Sequence, residues 1–175
     1  MTMLEVRIDG LALDVTTNSP VVILSPLKLN KVLPIWIGHT EAWAIAMELS
    51  SIPPVRPMTH DLLRMVITAL KAEVERIEIT DLKEQTFYAR VLLKANGASL
   101  SVDSRPSDAI ALALKAKSPI FVNESLFQLE ERSKETSENT SDSNKNQTPP
   151  VSNDPESLKD RLKRINPEDF GKYSL

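Results

Sequence analysis

One stretch restricts the fold of this chain more than any other: Val102-Asp103-Ser104-Arg105-Pro106-Ser107-Asp108, running straight into Ala109-Ile110-Ala111-Leu112-Ala113-Leu114-Lys115. Leu100 and Val102 alternate with Ser99, Ser101 and Asp103, the period of a half-buried strand. Ser104, Pro106, Ser107 and Asp108 then supply helix-start chemistry in close succession. Pro106 at the first helical position would make Arg105 the N-cap, whereas a side-chain cap favours Ser104; the sequence leaves both open. The helix that follows has almost no polar face before Lys115, so burial on most sides is expected. Its start carries two carboxylates, two hydroxyls and one arginine, the densest chemistry in the chain.

The remaining elements follow from periodicity and breakers. Leu4, Val6 and Ile8 alternate with Glu5, Arg7 and Asp9. After Gly10 the alternation resumes on the other parity with Leu11, Leu13 and Val15, which predicts a bulge or kink in one long strand. Thr16 to Pro20 is a turn, and Val21 to Leu24 a short strand paired back on the first. Val32 to Ile37 is a third strand, and Pro34 within it favours an edge or a bulge. Gly38-His39-Thr40-Glu41 opens a helix with a stripe of Ala42, Ile45, Ala46 and Leu49, and Trp43 and Met47 beside it. A second helix is expected from Thr59 as N-cap, with Asp61 in its first turn and Leu63, Val66, Ile67 and Leu70 as its buried face. Two strands follow, marked by Val74, Ile77 and Ile79 and by Phe87 to Leu93, joined by Lys83 to Thr86. Asn96-Gly97 is the strongest hairpin signal in the chain. Pro119 to Val122 reads as a last strand and Glu124 to Glu131 as a terminal helix. Strands come in runs, so the pattern predicts an α+β fold: a mixed, largely antiparallel sheet with helices packed on it.

Composition bounds what such a domain can do. The chain has no cysteine, which removes disulfides, thiol catalysis and cysteine-based zinc sites. The start has early acidic residues and no long apolar run, so it does not read as a signal peptide. No apolar run is longer than that of Ala109 to Leu114, which is too short to span a membrane. A soluble cytoplasmic protein is the expectation. Lysine and arginine number 13 against 14 acids up to Phe127, and 8 against 10 beyond it. Neither part has the basic surplus of a stable nucleic-acid binder; a transient encounter with a substrate is less restricted. From Ser133 to Pro155 Val151 is the only aliphatic residue, so we expect a domain over 1–131, a disordered linker over 132–156, and a tail over 157–175 with a short helix on Leu158, Leu162 and Ile165.

Several polar residues invite a chemical reading beside a structural one. Asp103 and Asp108 flank the strand-to-helix turn, and carboxylate oxygens suit hard cations such as Mg²⁺. They serve equally as a partner for Arg105 and a helix-start charge. Arg105 can grip a phosphate, or an acid of the fold. His39 and His60 each stand at a loop-to-helix junction with Glu41 or Asp61 close behind; either can be a general base or a structural group. Glu41 and Glu48 lie seven apart on one helix face, which reads most simply as a solvated or dipole role. Trp36 and Trp43 read as core or interface.

Five motifs together resemble the bifunctional nuclease domain family. They are Val21-Val22-Ile23-Leu24; Leu33-Pro34-Ile35-Trp36-Ile37-Gly38 with Glu41-Ala42; Arg56-Pro57-Met58-Thr59-His60-Asp61-Leu62-Leu63; Thr86-Phe87-Tyr88-Ala89; and Asp103-Ser104-Arg105-Pro106-Ser107-Asp108-Ala109-Ile110-Ala111-Leu112-Ala113. The likeness runs from about Met3 to Phe127, and Asn166 to Tyr173 also resembles the end of bacterial members. It implies an α+β fold with a mixed sheet, self-association, and for some members, mainly plant proteins, nuclease activity on DNA and RNA. Chosen on chemistry within those motifs, the candidates are His60, Asp103, Arg105 and Asp108 for catalysis. Arg105, Ser104 and Ser107 are candidates for substrate binding, and Asp103, Asp108, Asp61 and Glu41 for a divalent metal such as Mg or Mn. Nucleic acid is then a transient partner, and the alternative is a non-catalytic assembly or regulatory domain whose polar motifs are structural caps. A homo-oligomer is expected because the helix over Ala109 to Leu114 and the one bearing Trp43 and Met47 look too apolar for a small sheet to cover.

Overall fold

The parity break at Gly10 is a register shift. In the computed structural model, which describes residues 2–127, strand β1 (Met3–Asp14) pairs antiparallel with β2 (Ser19–Pro26), and the pairing slips between Ile8 and Gly10. The extra residue lets Leu11 and Leu13 join the face that Val6 and Ile8 occupy before it. Strand β3 (Leu33–Trp36) pairs with β2 and ends the sheet, so Pro34 sits on an edge where its missing N–H costs no ladder bond. Helices α1 (His39–Leu49) and α2 (Thr59–Ala69) follow. Met58, not Thr59, is the N-cap of α2: the Asp61 carboxylate reaches back to the Met58 N–H at 3.0 Å and does the capping from the third helical position.

Strands β4 (Ala72–Lys83), β5 (Thr86–Ala95) and β6 (Ala98–Ser104) form an antiparallel meander. Asn96 and Gly97 both take positive φ, 50° and 80°, as a two-residue hairpin of this twist requires. Helix α3 (Pro106–Ala116) has Arg105 as N-cap and Pro106 in its first turn, which decides between the two caps. Strand β7 (Ile120–Asn123) enters between β1 and β4, antiparallel to the first and parallel to the second. The seven-stranded order is β3-β2-β1-β7-β4-β5-β6. Helical residues resume at Glu124 up to the last described position; the rest of the expected terminal helix, the linker and the tail lie outside the described residues.

The two faces of the sheet differ. Val6, Leu24, Ile120, Val122, Ile77, Ile79, Ala89 and Val91 form the face under the helices, and each is at most 6% exposed. Helix α3 lies on β4 and β5 with α1 and α2 against it, and Ala109 to Ala113 are buried throughout. The opposite face carries a row of mostly polar residues in register: Glu5, Phe121, Glu78, Arg90 and Asp103. Within it the buried Glu78 carboxylate accepts from Arg76 Nε at 2.8 Å and Arg90 Nε at 2.7 Å.

Two expectations about apolar surface are corrected. Helix α3 is buried within the chain over Ala109 to Ala113, so it does not leave the bare surface expected of it; in α1, Ala42, Ala44 and Ile45 are buried, Trp43 and Met47 half-buried and Leu49 exposed. In α2, only Ile67 of the expected stripe is buried; Leu63, Val66 and Leu70 are 42%, 46% and 71% exposed. Helix α2 meets its neighbours through its start and Ile67, and periodicity alone does not report what covers a stripe. No helix among the described residues is long and apolar enough to cross a membrane.

Candidate functional site

Helices α1, α2 and α3 begin alike. Glu41, Asp61 and Asp108 each occupy the third position of their helix, where a negative charge complements the unpaired N–H groups and the positive end of the dipole. The Glu41 carboxylate folds back so closely over Gly38 that a side chain at Gly38 would displace it. The three starts are then tied together through Arg105 and His60. Arg105 donates through Nε to Asp108 Oδ2 at 2.6 Å and through Nη2 to Glu41 Oε1 at 2.7 Å. His60 Nε2 stands 3.1 Å from the other Asp108 oxygen. One side of the cluster is open: the Arg105 side chain is 66% exposed, while that of His60 is 12% exposed.

Electrostatics hold Arg105 and Asp108 ionised. Hydrogen bonds to Asp108 and Glu41 push the Arg105 guanidinium further up. Burial pushes the Asp108 carboxyl up, but the hydrogen bonds from Arg105 and His60 outweigh it and leave the group below its ordinary value.

A second ion-pair group lies two turns further along α3. Lys115 donates to Asp61 Oδ1 at 2.7 Å and to Glu48 Oε2 at 3.2 Å, with its side chain only 3% exposed. Burial pushes the ammonium down, yet the hydrogen bonds to Asp61 and Glu48 raise it above its ordinary value. Asp61 is the counterpart: burial raises it, and Lys115 and the Met58 N–H together carry it below. Lys115 and Glu48 are the residues that sequence reasoning missed as a pair. The signal was present in matching spacings, seven residues from Glu41 to Glu48 and seven from Asp108 to Lys115, as two parallel helices paired at both ends require.

The structure thus brings Glu41, His60, Arg105 and Asp108 together, and sets Asp61 one residue further along α2. Ser104 donates to the Arg105 carbonyl at 3.0 Å, and Ser107 is buried beneath the start of α3. Asp103 goes elsewhere. It pairs in register with Arg90, and Ser104 with the core residue Ala89, so Asp103 projects from the sheet face opposite the helices. His39 is exposed at the start of α1. Among the described residues no group of three or more His, Asp and Glu side chains is placed to hold a metal ion. Glu41 and Asp108 are committed to Arg105, Asp61 to Lys115, and Asp103 to the other face. As folded, these residues do not fit a divalent cation; Arg105 stands where one would have to sit.

What the helix-start cluster offers is an exposed guanidinium, a histidine oriented by an ionised carboxylate, and an adjoining cleft. The cleft, of about 370 Å³, is lined by Arg105, Ser107, Trp36, Ile37 and Phe87 among others.

Comparison with known proteins bears on the same region. The family model described as the bifunctional nuclease domain matches residues 21–135, more than half of the chain. An uncharacterized protein of Mycobacterium tuberculosis is 42% identical over 123 residues, covering 70% of this chain and 73% of that protein. Bifunctional nuclease 1 of Oryza sativa subsp. japonica is 30% identical over 94 residues, 52% of this chain and 28% of its own length. Bifunctional nuclease 1 of Arabidopsis thaliana is 29% identical over 97 residues, 54% and 30% respectively. The chain therefore spans less than a third of these two plant relatives.

Proposed function

The chain belongs to the bifunctional nuclease domain family, and on that premise we propose that it is a nuclease hydrolysing phosphodiester bonds of DNA and RNA. One observation carries the reading: His60 and Arg105 share a single carboxylate, Asp108, and Arg105 also lines an open cleft. With Nε2 turned to Asp108, Nδ1 is the ring nitrogen left for a water. In this reading His60 takes the proton as the water oxygen bonds to phosphorus, and returns it to the departing sugar oxygen as the ester bond breaks. Asp108 orients the ring and stabilises its charged form, and Arg105 meets the charge developing on the non-bridging oxygens.

A divalent metal such as Mg²⁺ or Mn²⁺ is a separate question, because cation binding at Glu41 or Asp108 requires Arg105 to leave. Cleavage of single-stranded DNA and RNA oligonucleotides, with and without a chelator, addresses both points. His60→Gln should lower the rate by roughly 10²–10⁴-fold, the usual worth of a general base, with the fold intact. Unchanged activity in His60→Gln sinks the assignment.

A second reading has its own support. Each acid in the cluster sits where helix starts favour acids, and each is paired within the chain, as in a non-catalytic assembly domain. A well-folded wild type that cleaves nothing under any metal condition selects it. Both readings include a cytoplasmic homo-oligomer. Its support is now the outer side of α2, where Leu62, Leu63, Met65 and Val66 are each 42% to 57% exposed. Light scattering at micromolar concentration decides it: a monomer removes the self-association.

A further inference from the structure

The two edges of the sheet are built differently. Strand β3 is four residues long and carries Pro34, two of the devices that keep an edge from pairing. Strand β6 has neither. It runs for seven residues, with no proline, no lysine and no bulge in its pairing with β5. Every residue from Ala98 to Asp103 is exposed. Leu100 and Val102 pair with Leu93 and Val91, so they lie on the face under the helices, yet they are 51% and 48% exposed.

The hairpin decides which backbone groups of β6 are free. A two-residue turn at Asn96-Gly97 closes on a hydrogen-bonded pair, Ala95 with Ala98. Bonding then alternates along the strand. Ala98, Leu100, Val102 and Ser104 turn their N–H and C=O groups to β5, and Ser99, Ser101 and Asp103 turn theirs outward. No other backbone among the described residues takes up those outward groups.

The strand is complementary to itself. Laid antiparallel on a second copy about a two-fold at Ser101, Ser101 meets Ser101 and Ser99 meets Asp103, so every outward N–H and C=O is paired. Leu100 meets Val102 on the helix side, an apolar cross-strand pair at the closer spacing. Asp103, the one charge of the strand, meets a serine rather than another carboxylate. A two-fold at Leu100 or Val102 would leave part of the outward row unpaired.

We propose that two copies of this chain pair through β6 in this register and join their seven-stranded sheets into one. The proposal rests on the self-association put forward above and names its surface: the exposed side of α2 argues for a contact but fixes no geometry, whereas β6 fixes one. The same register sets Arg105 level with Gly97 of the second copy. Each hairpin tip then borders the helix-start cluster of the other copy.

The test uses the full chain, which has no cysteine of its own. Ser101→Cys brings two thiols level across the two-fold, with Cα atoms about 5.5 Å apart, whereas in Ser99→Cys they stand four residues out of register, about 14 Å apart. A short bifunctional thiol reagent should link Ser101→Cys into dimers and leave Ser99→Cys almost unlinked. In sedimentation velocity, Ser101→Pro, which removes an outward N–H and no bond to β5, should raise the dimer dissociation constant at least about tenfold. Leu100→Lys should do the same by placing a charge on the seam. If Ser101→Pro fails to fold, Leu100→Lys and the two cysteine variants still decide. A dimer that survives these substitutions, or equal linking of the two cysteine variants, keeps self-association and overturns the pairing. A monomeric wild type overturns both and leaves the edge to a strand of another protein.

Discussion

Arg105 and Lys115 stand at the two ends of α3, and each bridges two carboxylates. Arg105 joins Asp108 to Glu41, and Lys115 joins Asp61 to Glu48. The pattern is the same, but the solvent is not: the first side chain is 66% exposed and the second 3%. Exposed pairs contribute little to stability because water already solvates their charges, whereas a buried cation removed from its partners leaves uncompensated charge inside. The comparison assigns Lys115 to holding three helices together and leaves Arg105 available for a ligand.

Substitution of Lys115 tests this most severely. Lys115→Met leaves Asp61 and Glu48 facing each other without a cation and should cost about 3 kcal/mol, seen as a drop of roughly 10 °C in melting temperature. In that variant, lowering the pH from 7 to 5 should raise the melting temperature, since protonation relieves the repulsion. A loss below about 0.5 kcal/mol would place Lys115 among the ordinary surface pairs.

The wild type should show the opposite slope in acid. Asp61 and Asp108 lie below their ordinary 3.8 when folded, so their contribution is present above that value and lost as pH falls through the folded one. Lys115 lies above its ordinary 10.5, so its contribution is present below that value and lost as pH rises past the folded one. Denaturant midpoints across the range should form a plateau with these two edges. An alkaline edge absent in wild type would sever Lys115 from the stability of the fold.

At the other end of α3, Arg105→Gln should cost at most about 1 kcal/mol in thermal unfolding, because the guanidinium is exposed. Cleavage should nonetheless fall about 10²-fold, the scale for losing one charge-stabilising donor. A large stability loss with normal cleavage would make Arg105 the structural cation of the two. The smallest effect belongs to the far face of the sheet: Asp103→Asn should stay within about 0.5 kcal/mol and leave cleavage unchanged. Abolished cleavage there would bring Asp103 into the chemistry and break the division drawn here.

The fold was legible where backbone geometry writes itself into local sequence. Gly10 marked the bulge, Pro34 the edge, and Asn96-Gly97 the hairpin. The site was legible only as separate helix starts. Which cation reaches which acid depends on how α1, α2 and α3 pack, and no local pattern carries that. Asp103 and Asp108 read as neighbours along the chain, but the strand pleat turns them to opposite sides of the sheet. The open stripe of α2 was misread for the same reason, since the spacing of apolar residues does not name their neighbour.

The position of β7 has a consequence for how the chain is made. Strands β1 to β3 and β4 to β6 are two local meanders, and among the described strands only Ile120–Asn123 joins them within the sheet. During synthesis each half emerges and can pair on its own, with β1 and β4 presenting bare edges to the cell. The element that closes both edges is the last of the seven to leave the ribosome. Until it does, the nascent chain holds two unfinished half-sheets, the kind of exposed edge on which aggregation begins, and the closing contact from β7 back to β1 spans nearly the whole domain.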